Sequence, residues 1–238
     1  MKRRGDRTVL VIGATSGIGE AVVETFISYG DTVIGSHRSD KSNSSLHDRI
    51  QLDLDCLSSV EAARRYIGGR DIDALVICAG IFNPSWTHGF SDDGWEEMLS
   101  VNLKAPAQIM QEVARLMVSR GTQGRIVQVA SIAAHRPRAG CLTYGTSKGG
   151  AQGLVRAIAL DMAPHNILVN TVSPGLTDTP MVSRNLTIEE RSRREQGIPK
   201  GRLAAPSDIA GVIEFLCSDK NSYITGQDLT VDGGESLV

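Results

Sequence analysis

The sequence predicts an α/β protein, a Rossmann-type doubly wound parallel sheet with helices on both faces, from three observations. Short apolar runs alternate with longer segments of helical period along the whole chain. Most of these runs are apolar on successive residues, as strands buried on both faces must be. A glycine-rich turn stands directly between the first run and the first helical segment.

The elements follow in order. TVLVIG (8–13) forms the first strand and 17–29 the first helix, entered through Gly13-Ala14-Thr15-Ser16-Gly17-Ile18-Gly19. DTVIGS (31–36) forms the second strand, and the polar stretch RSDKSNSSLHD (38–48) after it reads as a loop. A third strand ends before Asp53-Leu54, and a helix follows over 58–67, where Ser58 and Glu61 have capping-box spacing. IDALVICAG (72–80) is the fourth strand, followed by helices over 92–102 and 105–120. GRIVQVAS (124–131) leads to a helix over 143–163, and ILVNTVSPG (167–175) to a longer insertion over 179–202, placed to close over a cleft. A helix over 207–218 and a strand in DLTVDGG (228–234) complete the chain. Right-handed crossovers place ligands at the carboxyl ends of the strands. No repeat, linker or composition break is visible, so one domain is expected over 1–238.

Composition narrows the function. The 238 residues are 41% hydrophobic and 22% charged, ordinary for a globular protein. Lys plus Arg number 25 against 27 Asp plus Glu, a net charge of −2 that attracts neither nucleic acid nor an acidic membrane. No apolar stretch reaches the roughly 18 to 20 residues a bilayer requires. Cys56, Cys78, Cys141 and Cys217 have neither CxxC nor Cys/His spacing, so reduced thiols and no metal site are expected. A cytoplasmic protein follows from these expectations.

The glycine loop carries a first chemical signal. Gly13 can turn the chain, Gly17 lets backbone approach a ligand, and Gly19 permits close packing of helix on strand. The helix behind it offers free N–H groups and a positive dipole end to a pyrophosphate. Tyr144 and Lys148, four apart on a predicted helix, project from one face. An ammonium beside a phenol is expected to lower its pKa from about 10 into the range of a general acid/base. Ser131, thirteen residues earlier at a strand end, is placed to bond the same substrate oxygen.

The GxxxGxG spacing resembles the short-chain dehydrogenase/reductase family, and the likeness runs from about Arg7 to Gly234. Its other pieces are Asp53-Leu54, Cys78-Ala79-Gly80, Asn102 in VNL, Ser131, Tyr144-x-x-x-Lys148 and Pro174-Gly175 with Thr179. The resemblance implies that Tyr144 exchanges a proton with the substrate oxygen and Ser131 polarises that oxygen. It further implies that Lys148 holds the nicotinamide ribose and Asn102 anchors a relay water. Cofactor contacts then fall on Gly13, Thr15, Ser16, Gly17, Ile18, Gly19, His37, Arg38, Asp53, Leu54, Ala79, Gly80, Tyr144, Lys148, Pro174, Gly175, Thr177 and Thr179. Cys78 departs from the family's usual Asn and removes a side-chain hydrogen bond.

His37 stands where NAD-preferring relatives carry Asp, and Arg38 can pair with a 2′-phosphate, so NADP(H) is favoured. Ser16, where many NADP-using relatives have a second basic residue, and the nearby Asp40 leave NAD(H) open. His135 and Arg136 are candidate substrate contacts, and six basic residues in the insertion (Arg184, Arg191, Arg193, Arg194, Lys200, Arg202) read as a solvated face before an anion-steering one.

The chain looks most like the β-ketoacyl-acyl-carrier-protein reductase branch, in GRL (201–203) and YITGQDLTVDGG (223–234). Thr122 and His165 replace the two arginines with which that branch docks its acidic carrier, which favours a small-molecule carbonyl reductase over a dedicated fatty-acid role. An NADP(H)-sensing regulator on the same fold is the alternative from another class, opposed by the intact Ser131, Tyr144 and Lys148. A lyase or epimerase is the third, opposed by the absence of a larger substrate portion. The family assembles as a tetramer, so a homotetramer is expected, with a dimer as the alternative. Ile109, Met110, Val113 and Met117 are candidate interface positions, core packing being the competing assignment.

Overall fold

A computed structural model describes residues 2–38 and 45–238. Its strands are β1 (Thr8–Ile12), β2 (Thr32–His37), β3 (Asp48–Gln51), β4 (Ala74–Ile77), β5 (Arg125–Val129), β6 (Leu168–Pro174) and β7 (Asp228–Val231). Its helices are α1 (Gly17–Ser28), α2 (Leu57–Gly68), α3 (Asp92–Leu99), α4 (Ala105–Arg120), α5 (Leu142–Met162), α6 (Pro180–Asn185), α7 (Ile188–Gln196) and α8 (Pro206–Leu216). The strands form one parallel sheet in the order β3-β2-β1-β4-β5-β6-β7. The order reverses between β1 and β4, so the connections after them leave to opposite faces and open a crevice at the carboxyl ends.

Continuous apolar character is what this sheet requires. Within β1, Leu10 and Ile12 pack with α2, α4 and α5, while Val9 and Val11 pack with α1 and α8. Ile109, Met110, Val113 and Met117 lie inside the first of these layers, 0–1% exposed, so that row of α4 is core and unavailable to a partner. Among the described residues no helix is long and apolar enough to cross a membrane. The four cysteines are free thiols.

Local chemistry adjusts several expected boundaries. The capping box at Ser58 and Glu61 does not form. Helix α2 starts at Leu57 with Cys56 as its N-cap, Ser58 Oγ lies 3.3 Å from Cys56 Sγ, and Ser59 Oγ accepts from the Asp53 amide. A full box opens α7 instead: Glu190 N donates to Thr187 Oγ1 (3.2 Å) and Thr187 N to Glu190 Oε2 (2.9 Å). Strand β7 stops at Val231, because Gly233 and Gly234 turn the chain with φ of +63° and +87°.

Between α3 and α4 the helix does not break but widens into a π-turn over Ser100–Lys104. Pro106 has no N–H to give the carbonyl of Asn102, four residues earlier, and the turn loosens there. Gln128 Nε2 reaches that freed carbonyl at 3.3 Å. The insertion forms α6 and α7 over the crevice side of the chain, and its cations sit on the surface, Arg191 paired with Asp178 (2.8 Å) and Arg202 with Asp208 (2.6 Å).

Candidate active site

The glycine loop closes the crevice between β1 and β4. A Cβ on Gly13 (φ +85°) would lie 2.7 Å from the Ala79 amide nitrogen, and one on Gly19 would lie 1.9 Å from the Gly13 oxygen. Side chains there are excluded by contact with backbone, so the close packing itself selects glycine. Ser36, at the end of β2, fixes the loop: Gly13 N donates to its Oγ (2.8 Å) and Ala14 N to its carbonyl (3.2 Å). Ser16 precedes α1 in extended backbone and makes no side-chain cap, which leaves the first amides of the helix without a side-chain acceptor. Thr179 faces this loop from across the crevice, its Cγ2 3.0 Å from where a Gly17 Cβ would stand.

The remaining residues of the crevice follow the strand ends. At the end of β2, His37 Nδ1 is buried with no partner among the described residues, and Arg38 beside it is exposed. Asp40, weighed above as an acidic neighbour, lies outside the described residues. Asp53 Oδ1 accepts from the Asp55 amide at 3.1 Å, and Leu54 is buried. Pro174, at the end of β6, and Thr177 beyond it are buried, and Thr177 Oγ1 donates to the Gly175 carbonyl at 3.0 Å. A glycine cradle, uncapped amides and an imidazole nitrogen with no partner among the described residues together fit a dinucleotide.

The polar cluster lies on the α5 side of the crevice. Ser131 Oγ accepts from Ala133 N (3.1 Å) and caps the short turn Ile132–Ala134, which aims it toward α5. There its hydroxyl lies close enough to the Tyr144 phenol to act on its titration. The Tyr144 ring is held edge-on by Phe82, with centroids 5.1 Å apart. Lys148 Nζ stands 5.7 Å from the Tyr144 ring centre and donates to the Val129 carbonyl at 2.9 Å. Gly80 completes the contact, since a Cβ there would lie 3.0 Å from Asn102 Oδ1 and 3.3 Å from Lys148 Nζ. Asn102 Oδ1 accepts from Ile81 N (2.9 Å), and its Nδ2 donates to Ile81 O (3.0 Å) and Ser147 Oγ (3.1 Å).

Electrostatics here run opposite to the expectation of an acidified phenol. Burial pushes Tyr144 up to about 12, and the Ser131 hydroxyl pulls only partly the other way. Lys148 is itself buried, and burial draws its pKa down to about 8. Desolvation sets both shifts, because both groups have lost water and Nζ bonds a carbonyl instead of the phenol. The Cys78 thiol is likewise pushed up to about 12 by burial and stays protonated.

The two substrate candidates take other contacts. Arg136 donates to the carbonyl oxygens of Glu235 and Val238, and His135 Nδ1 lies 3.9 Å from Asp228 Oδ2. A cavity of about 550 Å³ flanks the start of α5 between the loops after β4 and β5, lined by Trp86, His88, Arg138, Cys141 and Gly145 among others. Neither Ser131 nor Tyr144 lines it. Ser36, Gln128 and Glu235 were not singled out from the sequence. The available signal was a polar residue inside each apolar strand run and an acid directly after Gly233-Gly234.

Comparison with known proteins supplies the remaining context. The family described as enoyl-(acyl carrier protein) reductase matches residues 13–236. The chain is 32% identical over 241 residues to the 3-oxoacyl-(acyl-carrier-protein) reductase of Salmonella typhimurium, with 98% of each covered. It is 34% identical over 243 residues to the 2,3-dihydro-2,3-dihydroxybenzoate dehydrogenase of Escherichia coli, with 97% of each covered. A solved structure from Beutenbergia cavernae, provisionally described as an NAD(P)-dependent gluconate 5-dehydrogenase with NADP bound at low occupancy, matches with a TM-score of 0.93. That match has 32% identity and covers 98% of this chain and 97% of the other.

Proposed function

Since the chain belongs to the short-chain dehydrogenase/reductase family, in its 3-oxoacyl-(acyl-carrier-protein) reductase-like branch, we propose that it is an NADP(H)-dependent carbonyl reductase of small molecules. As a family member it is an oxidoreductase acting at carbonyl and CH–OH groups. The observation that carries the finer assignment is the meeting of Ser131, Tyr144, Lys148 and Asn102 beside a glycine cradle whose neighbouring imidazole nitrogen has no partner among the described residues.

Gly13, Thr15, Ser16, Gly17, Ile18 and Gly19 would hold the pyrophosphate, with Asp53, Leu54, Ala79 and Gly80 along the adenosine side. His37 and Arg38 would meet the ribose and its 2′-phosphate; Pro174, Gly175, Thr177 and Thr179 would meet the nicotinamide half. When bound, the nicotinamide supplies or accepts the hydride. Tyr144 donates its phenolic proton to the substrate oxygen as the carbonyl becomes an alcohol, and Ser131 orients that oxygen. A phenol at about 12 is fully protonated at neutral pH, the form a general acid needs, which suits the reducing direction. Lys148, with its pKa near 8, remains mostly ammonium at pH 7 and places positive charge beside the phenolate left by the transfer.

The similarity to carrier-protein reductases favours a second reading, a 3-oxoacyl thioester substrate. Thr122 and the exposed His165, in place of fixed cations, favour a free small molecule over a carrier-bound one. Two-fold assembly into a homotetramer, in one NAD(P)-binding domain per chain, accompanies the proposal. The test is NADPH oxidation by purified protein over a panel of ketones, polyol-derived ketones, and free against carrier-bound 3-oxoacyl thioesters. Turnover of a ketone with NADPH supports the assignment; NADPH binding without turnover of any of them refutes it in favour of a sensor.

A further inference from the structure

Glu235 is 2% exposed, yet its carboxylate is engaged on two sides. Oε2 accepts from the Leu176 amide at 2.8 Å, in the loop after β6 that carries Gly175, Thr177 and Thr179. Oε1 takes the Arg138 guanidinium, in the loop after β5 that begins at Ser131. A Cβ on Gly175 would lie 2.6 Å from Oε2, so a larger residue there would displace the carboxylate. The turn that presents it is itself fixed, because Asp232 accepts from Gly234 N (2.9 Å) and Ser236 N (2.7 Å). Arg136 holds the same turn through the Glu235 carbonyl.

A buried carboxylate is costly unless both oxygens are satisfied, and here each oxygen serves a different loop. The two loops follow the neighbouring strands β5 and β6, and Arg138 also lines the cavity beside α5. Displacing either loop therefore strains the other through one rigid planar group. We propose that Glu235 is a positioning residue that couples the cofactor side of the cleft to the substrate side. The proposal rests on the reductase reading above and goes beyond it by making the two binding events interdependent.

Hydrogen exchange of the full chain with and without NADPH tests the coupling. In the wild type, NADPH is expected to slow amide exchange over 175–179 and also over 136–141. In Glu235→Ala the slowing over 136–141 disappears, and the Kd for NADPH rises about tenfold, a normal size for coupling between sites. Arg138→Met cuts only the substrate arm. It is expected to lose the transmitted slowing while NADPH Kd stays within about twofold and KM for the ketone rises about fivefold at constant kcat. Glu235→Gln keeps an acceptor for Leu176 N and should behave like Arg138→Met. If both substitutions at 235 prevent folding, Arg138→Met alone decides. Wild-type slowing over 136–141 retained in the variants overturns the coupling and leaves the reductase reading intact. No NADPH binding by the wild type overturns both.

Discussion

The two ends of the parallel sheet treat buried charge in opposite ways. At the amino ends, the fully buried Arg7 guanidinium donates to both oxygens of Asp31 and to the Cys217 carbonyl (2.8 Å), and Glu214 joins it to Arg4. Burial pulls Arg7 down, but the Asp31 hydrogen bonds and charge outweigh it, and the net shift is upward. At the carboxyl ends Lys148 is equally buried but bonds only a carbonyl, and its pKa falls to about 8. Near it stands a phenol forced to stay protonated, and at the end of β2 an imidazole nitrogen has no partner among the described residues. A paired buried charge fixes one geometry. An unpaired one holds free energy that a ligand can release, which is why perturbed groups gather at functional sites.

The sharpest way to break this contrast is Tyr144→Phe at the carboxyl end. Loss of the proton donor should lower kcat by about a hundredfold to ten-thousandfold with NADPH affinity unchanged, measured by NADPH oxidation and by calorimetry. Undiminished turnover would remove the acid role. Arg7→Leu at the other end should have the reverse profile. It strands Asp31 in the core and should cost about 3–5 kcal/mol in chemical denaturation, while kcat per folded molecule holds within about twofold. A large loss of kcat in the folded variant would mean that the amino ends also serve the reaction.

Most of the architecture was legible because buried parallel strands advertise themselves: β1 and β4 are apolar along nearly their whole length between glycine, proline or polar punctuation. The four residues of the polar cluster were legible as a constellation, since strand ends and an i, i+4 pair have fixed directions. Their titration was not. Spacing shows that Lys148 is near Tyr144, but not that both have lost their water, and desolvation set the sign of both shifts. The π-turn at Asn102 escaped for a related reason: Pro106 frees a carbonyl, but the Gln128 that takes it lies 26 residues away in sequence. Arg136 suggested a substrate contact because nothing local reveals that Glu235 and Val238, about a hundred residues on, occupy it.

Lys148 offers a smaller effect of unusual sign. Its pKa falls from 10.5 to about 8 on folding, so the unfolded chain binds more protons between those values and stability rises with pH across that window. Below about pH 8 the folded state carries the cost of a buried ammonium, about 3 kcal/mol. Lys148→Met removes that cost but strands the Val129 carbonyl, worth about 1 kcal/mol, for a net gain of about 2 kcal/mol at pH 7 with activity lost. Urea denaturation at pH 7 and pH 10 checks it: the variant's advantage should shrink toward the higher pH. A variant less stable than wild type at both values would show that the lysine is a structural tie like Arg7.

The smallest expected effect concerns the edge of the same site, where Arg38 is exposed beside the His37 nitrogen that has no partner among the described residues. An exposed guanidinium has no part in holding the fold, so its substitution should be silent in stability. Its value lies in the charge it can bring to a 2′-phosphate, and a single charge-assisted contact at a wet surface is worth about 1–2 kcal/mol. Arg38→Ala should therefore weaken NADPH about tenfold and NADH less than about twofold, read as the ratio of the two dissociation constants, with a larger ratio at low ionic strength. Equal weakening of both cofactors would mean that Arg38 does not read the phosphate, and the preference would then fall to the neighbouring His37.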